Sequence, residues 1–106
     1  MLINPIDELL LQDDVSEIIV NSFDRIYYEK EGLLFEYSSA FKSEIEYLNT
    51  IERITQQAHT YLNRERPFVE MQIGTARYTL VFSELSGGSV LLDLFRDYSF
   101  QIKSSV

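Results

Sequence analysis

Residues 15–37 read VSEIIVNSFDRIYYEKEGLLFEY, and the reading of this stretch decides the fold class. The β-branched run Ile18-Ile19-Val20 argues for a buried strand over 15–20. Asn21-Ser22-Phe23-Asp24 supplies the residue types of a turn. Residues 26–30 and 33–37 then read as a hairpin closed around Glu31-Gly32, where glycine can take a positive φ. Strands joined by connections this short pair antiparallel, because a parallel pair needs a crossover of a dozen residues or more.

Working outward, Asn4-Pro5 opens a short helix that runs to about Gln12. Asn caps free N–H groups, and Pro is tolerated at the first helical position. Asp7 and Glu8 sit where the helix dipole favours acids. On the other side, Ser43 and Glu46 form an S-x-x-E capping box that starts the one long helix. Ile45, Leu48, Ile51, Ile54, Ala58 and Tyr61 recur at three- and four-residue steps and define its apolar face. Pro67 marks the exit. Strands follow over 68–73 and 76–82, joined by the two-residue turn Gly74-Thr75. Alternation puts Ala76, Tyr78, Leu80 and Phe82 on one face and Arg77, Thr79 and Val81 on the other. Gly87-Gly88 is a loop, and 90–98 is the last strand, with Leu92, Leu94 and Arg96 sharing a face. The order αβββαβββ predicts an α+β two-layer sandwich. Its sheet is mostly antiparallel, of about six strands, with one long and one short helix. The domain is expected to occupy residues 1–99, with 100–106 as a short tail.

The chain has 106 residues and a net charge of −8, with 45% hydrophobic and 13% aromatic residues, enough for a core in a single domain. Residues 1–52 hold twelve acids and three bases, a net −9; residues 53–106 hold five acids and six bases, a net +1. This asymmetry points to distinct faces for distinct partners unless the fold mixes the halves in space. An acidic domain is repelled by a phosphate backbone, so a nucleic-acid polymer is not an expected partner. No apolar run is long enough to span a membrane. The N-terminus does not read as a secretory signal. The absence of cysteine excludes disulfides and thiolate chemistry and fits a reducing compartment.

Catalytic signatures are missing from the sequence. There is no G-x-x-x-x-G-K-[ST], and the single His59 rules out H-E-x-x-H. His59 falls near the end of the long helix with no nucleophile placed beside it. Asp13, Asp14 and Glu17 lack the spacing of a calcium loop. No cofactor is expected.

Residues 10–21 (LLQDDVSEIIVN) resemble the L-L-x-D-x-x-V-x-E-I-x-V-N opening of type II/IV secretion ATPases, especially the tight-adherence pilus type. Residues 24–33 (DRIYYEKEGL) are similar to the hairpin D-R-x-Y-x-E-x-x-G-x-L of that family. Residues 67–70 resemble its P-x-V-D strand entry, 76–78 its S-R-V strand, and 95–99 its I-R-[RK]-F-S close. The similarity runs in order from about residue 6 to 99. It departs at Ser22, where the family has Gly, and at Glu70, where it has Asp. The turn before Arg77 is one residue shorter, and the loop at Gly87-Gly88 lacks a Gly-Pro.

The resemblance implies a PAS-like N-terminal domain without the P-loop domain that follows it in the family. In the family this domain closes over the nucleotide bound in a hexameric ring. Arg77 and Arg96 match the strand arginines that approach the phosphates there, with Arg66 a further candidate. A guanidinium suits that task because it stays charged and binds phosphate bidentately. The competing reading is ordinary pairing with Asp93 or Asp97. Asp13, Asp14 and Glu17 are candidates for a partner surface. The implied function is a non-catalytic interaction or regulatory module, cytoplasmic, with secretion or pilus ATPase subunits or other secretion-system proteins as partners and a homo-oligomer as a further possibility. The alternatives are a sensor of nucleotide or another phosphate ligand, and a fragment of a full-length secretion ATPase.

Overall fold

The computed structural model describes residues 4–84 and 88–96. Its elements are α1 (Pro5–Leu10), β1 (Val15–Ser22), β2 (Arg25–Lys30), β3 (Leu33–Glu36), α2 (Glu44–Gln57), β4 (Phe68–Ile73), β5 (Ala76–Ser83) and β6 (Ser89–Arg96). The expectations for Gly87, for residues 97–98 of the last strand, and for the 99/100 boundary and tail lie outside the described residues.

The local chemistry follows the sequence closely at the turns and caps. Asn4 Oδ1 accepts the Asp7 N–H at 2.9 Å and starts α1. Ser43 Oγ accepts the Glu46 N–H at 3.2 Å and starts α2. The return bond of the capping box is displaced by one residue, because Glu46 Oε2 accepts from the Lys42 N–H. Lys30 pairs with Leu33 across a two-residue turn in which Glu31 (φ 54°) and Gly32 (φ 80°) both lie in the left-handed region, as a type I′ turn requires. Gly74-Thr75 closes the β4–β5 hairpin between the paired Ile73 and Ala76.

β1 and α2 differ from the sequence reading, and α1 ends at Leu10, short of Gln12. β1 runs on through Asn21 and Ser22, and Ser22 pairs with Arg25 after a register shift. A Ser22 Oγ bond to Asp24 Oδ1 at 2.8 Å tightens the turn to Phe23-Asp24. The buried face of α2 is also rotated. It consists of Tyr47, Thr50, Ile51, Ile54 and Thr55, whereas Ile45 is 71% exposed. The threonines bury because each satisfies its hydroxyl on its own helix, Thr50 on the Glu46 carbonyl and Thr55 on the Glu52 carbonyl. Tyr47 buries because its hydroxyl donates to the Val90 carbonyl at 2.9 Å. The helix stops at Gln57, so Tyr61 never joins its face. The stop is a Schellman motif with His59 (φ 55°) at the left-handed position: His59 N–H bonds the Gln56 carbonyl and Thr60 N–H the Thr55 carbonyl.

The sheet has six strands in the order β3-β2-β1-β6-β5-β4, and every pairing is antiparallel. Two three-strand meanders thus meet at the β1–β6 pair, and α2 carries the chain from one outer edge to the other. Ile18, Val20, Ile26, Leu80, Leu92 and Leu94 form the buried face of the sheet. They share one core with Ile6 and Leu9 of α1 and with Tyr47, Ile51 and Ile54 of α2. Both helices therefore cover the same face, and the molecule is an α+β fold. The first half of the chain builds β1–β3 and the second half β4–β6, and the two meet at the β1–β6 pair. The helices mix the charges of the halves in space, because Asp7, Glu8 and Glu46 share a groove with Arg53 and Tyr78 of the second half.

Candidate functional site

Cross-strand partners point to the same side of a sheet, so the register assigns every candidate residue to a face. Arg77 pairs with Phe95, which pairs with Glu17. These three lie on the face away from the helices. Arg96 pairs with Ala76 and lies on the helix-covered face. Arg77 and Arg96 are therefore on opposite sides of the sheet, and the structure does not bring them together.

Their contacts differ accordingly. Arg77 is exposed, with its guanidinium 6.0 Å from the centroid of Phe95. Arg96 is half-buried and donates to the carbonyls of Gln12, at 2.8 Å, and Leu10. Those carbonyls lie at and just beyond the C-terminal end of α1, a helix with no basic residue in its last turn. Arg96 thus supplies the cation and the donors that this end of the helix lacks, from a strand far along the chain. Arg66 is held in a loop. Its N–H and that of Glu65 both bond Asn63 Oδ1, and its guanidinium lies 5.4 Å from the Tyr61 ring centroid.

The acidic candidates also separate. Asp14 pairs with Lys30 at 3.3 Å. Asp13 is exposed in the turn before β1. Glu17 lies in the middle of the open sheet face, diagonal to Asp93 on β6. The hydrogen bond to Asp93 pushes Glu17 up from 4.5 to about 7, with help from burial and from the negative charges of Asp93 and Glu29. Asp93 Oδ1 is buried and has no hydrogen-bond partner among the described residues. A proton held on Glu17 gives this carboxyl pair a donor. Nothing in the sequence marks the pair, because 76 positions separate residues that only the β1–β6 register makes neighbours. Among the described residues, no group of three or more His, Asp or Glu side chains is placed to hold a metal ion.

The open face surrounding the pair carries Ile19, Tyr27, Thr79, Arg77 and Phe95, a mixture of apolar, aromatic and charged groups. A groove between the two helices, lined by Asp7, Glu8, Lys42, Glu46 and Arg53, lies on the other side of the sheet from Arg77. The described residues thus present charged and apolar surfaces on both sides of the sheet. No described helix is long and apolar enough to cross a membrane.

No protein-family model matches the chain, and no curated protein does. Among solved structures, the VirB11 ATPase from the type IV secretion system of Brucella suis, crystallised in complex with sulphate, has a similar fold. The TM-score is 0.70 at 17% sequence identity, over 92% of this chain and 33% of that one. The chain spans about a third of the length of that ATPase.

Proposed function

We propose that this chain is a non-catalytic interaction module, built like the N-terminal part of a type IV secretion ATPase, that acts by contact with secretion or pilus ATPase subunits or their regulators in the cytoplasm. The observation that carries this reading is the likeness of 92% of the chain, whose sequence contains no phosphate-binding loop, to a third of a type IV secretion ATPase. The placement of the arginines supports it as well. Arg96 is engaged with backbone carbonyls, and Arg77 stands alone of the two on the open face. This arrangement favours protein contact over a two-arginine phosphate clamp.

The test is to mix the purified chain with a full-length secretion or pilus ATPase from the same cell. Association is measured by sedimentation, and the ATPase rate with and without the chain. Co-sedimentation, with or without a change in rate, is the expected result. Absence of association with every secretion ATPase of the cell overturns the reading.

A further inference from the structure

The two ends of the sheet are built differently. At one end, β4 follows Pro67, carries the exposed Glu70 and Gln72, and buries Val69 and Met71 against the core. Proline and mid-strand charge are the usual protections of an open edge. At the other end, β3 begins Leu33-Leu34-Phe35, and all four of its residues are exposed: Leu33 62%, Leu34 61% and Phe35 40%. Apolar side chains thus stand on both faces of an edge strand.

The register identifies the open backbone groups. Lys30 and Leu33 flank a two-residue turn and form a hydrogen-bonded pair, and the Tyr37 N–H reaches back to the Ile26 carbonyl at 2.8 Å. Residues 33, 35 and 37 therefore direct their N–H and C=O groups toward β2. By the alternation of an antiparallel ladder, Leu34 and Glu36 direct theirs outward, where no strand follows among the described residues. Phe35 is held in place by stacking on Tyr28, ring centroids 5.4 Å apart.

Charge identifies the occupant. The edge is bordered by Glu29, Glu31 and Glu36, while the nearby Lys30 is committed to Asp14. A second copy paired through Leu34 would set Glu36 of each chain beside Glu31 and Gly32 of the other, between molecules of charge −8. An extended segment with Lys or Arg at its ends meets the same acids with opposite sign.

We propose that the outer edge of β3 receives, as a seventh strand, an extended segment of a partner protein that is apolar at alternate positions and flanked by basic residues. Main-chain bonds to Leu34 and Glu36 supply the affinity, contact with Leu33, Leu34 and Phe35 covers exposed apolar surface, and the border acids select the charge. This rests on the interaction-module reading and names the surface it uses.

The test is an NMR titration of the full chain with the blocked peptide Lys-Val-Thr-Val-Thr-Val-Lys and with the same peptide ending in Glu at both sides. The expected result is shifted amides at Leu34, Glu36 and their neighbours and slowed exchange of the Leu34 and Glu36 N–H. At low salt the acidic peptide should bind about ten-fold more weakly. Leu34→Pro removes an outward N–H and Leu34→Lys adds a repelling charge; either should abolish the shifts while the amides of β1 and β6 keep their positions. Equal binding of both peptides, shifts on another face, or protection of Leu34 that grows with protein concentration alone overturns the proposal. With the full ATPase, binding undiminished in Leu34→Lys overturns this edge alone. No binding by the unsubstituted chain overturns the module reading itself.

Discussion

Glu17 and Asp93 are two carboxyls set diagonally across the central strands, and their chemistry is a matter of single protons. Glu17 binds its proton up to about 7 in the folded chain, against an ordinary 4.5. Folding therefore takes up a proton across that interval. The stabilisation is fully present below about pH 4.5 and is lost as pH rises through about 7. Glu17 is half-buried and partly screened by water, so the loss amounts to roughly 1 kcal/mol rather than the full value of the shift. Glu17→Gln should remove this decline and leave the variant more stable than the parent at pH 8. Urea denaturation midpoints at pH 5 and pH 8 decide it, and parallel changes in parent and variant would contradict the assignment. Arg96 and Arg77 give a second contrast. Arg96→Ala removes charge-assisted bonds to carbonyls at the end of α1 and should cost about 1–2 kcal/mol. Arg77→Ala removes an exposed contact with Phe95 and should cost about 0.5 kcal/mol or less. Thermal denaturation of both variants measures the difference, and equal losses would refute the placement of the two side chains on opposite faces.

Among the elements, the caps and turns were legible in local sequence because their chemistry is local. Asn4, Ser43, Glu31-Gly32 and Gly74-Thr75 each act within a few residues. The face of α2 was not. Hydropathy selects Ile45 and Leu48, yet the structure buries Thr50, Thr55 and Tyr47 in their place. A threonine that bonds its own helix and a tyrosine that reaches the Val90 carbonyl no longer count as polar, and hydropathy cannot register a partner 43 positions away. The end of α2 carries its own prediction. His59 occupies the left-handed position that glycine fills without steric cost. His59→Gly should therefore stabilise the chain by roughly 0.5–1 kcal/mol, seen as a raised melting temperature. A lowered melting temperature would mean that the His59 side chain makes a contact outweighing its backbone strain.

For the whole molecule, the two meanders are joined along β1 and β6 and share one core with both helices. Neither meander has a core of its own. Unfolding should be a single cooperative transition, with tyrosine fluorescence and far-UV circular dichroism giving the same midpoint. Separate midpoints would show that the meanders fold independently. Glu29, Glu31 and Glu36 gather at the β3 end of the sheet, whereas the helices bring first-half acids beside second-half Arg53.

The alternation of residues 15–37 and 68–96, the turn residues between them and the capped helices determined an antiparallel α+β fold without help from tertiary structure. These are short-range constraints, set by backbone geometry and by burial of every second side chain. Tertiary structure alone decided which side chains meet. Arg77 and Arg96, alike as strand arginines in the sequence, part to opposite faces because they stand an odd number of positions out of register. Glu17 and Asp93 meet because β6 returns to the middle of the sheet. Pairing of distant strands is set by the collective packing of the core, and no short segment carries that information.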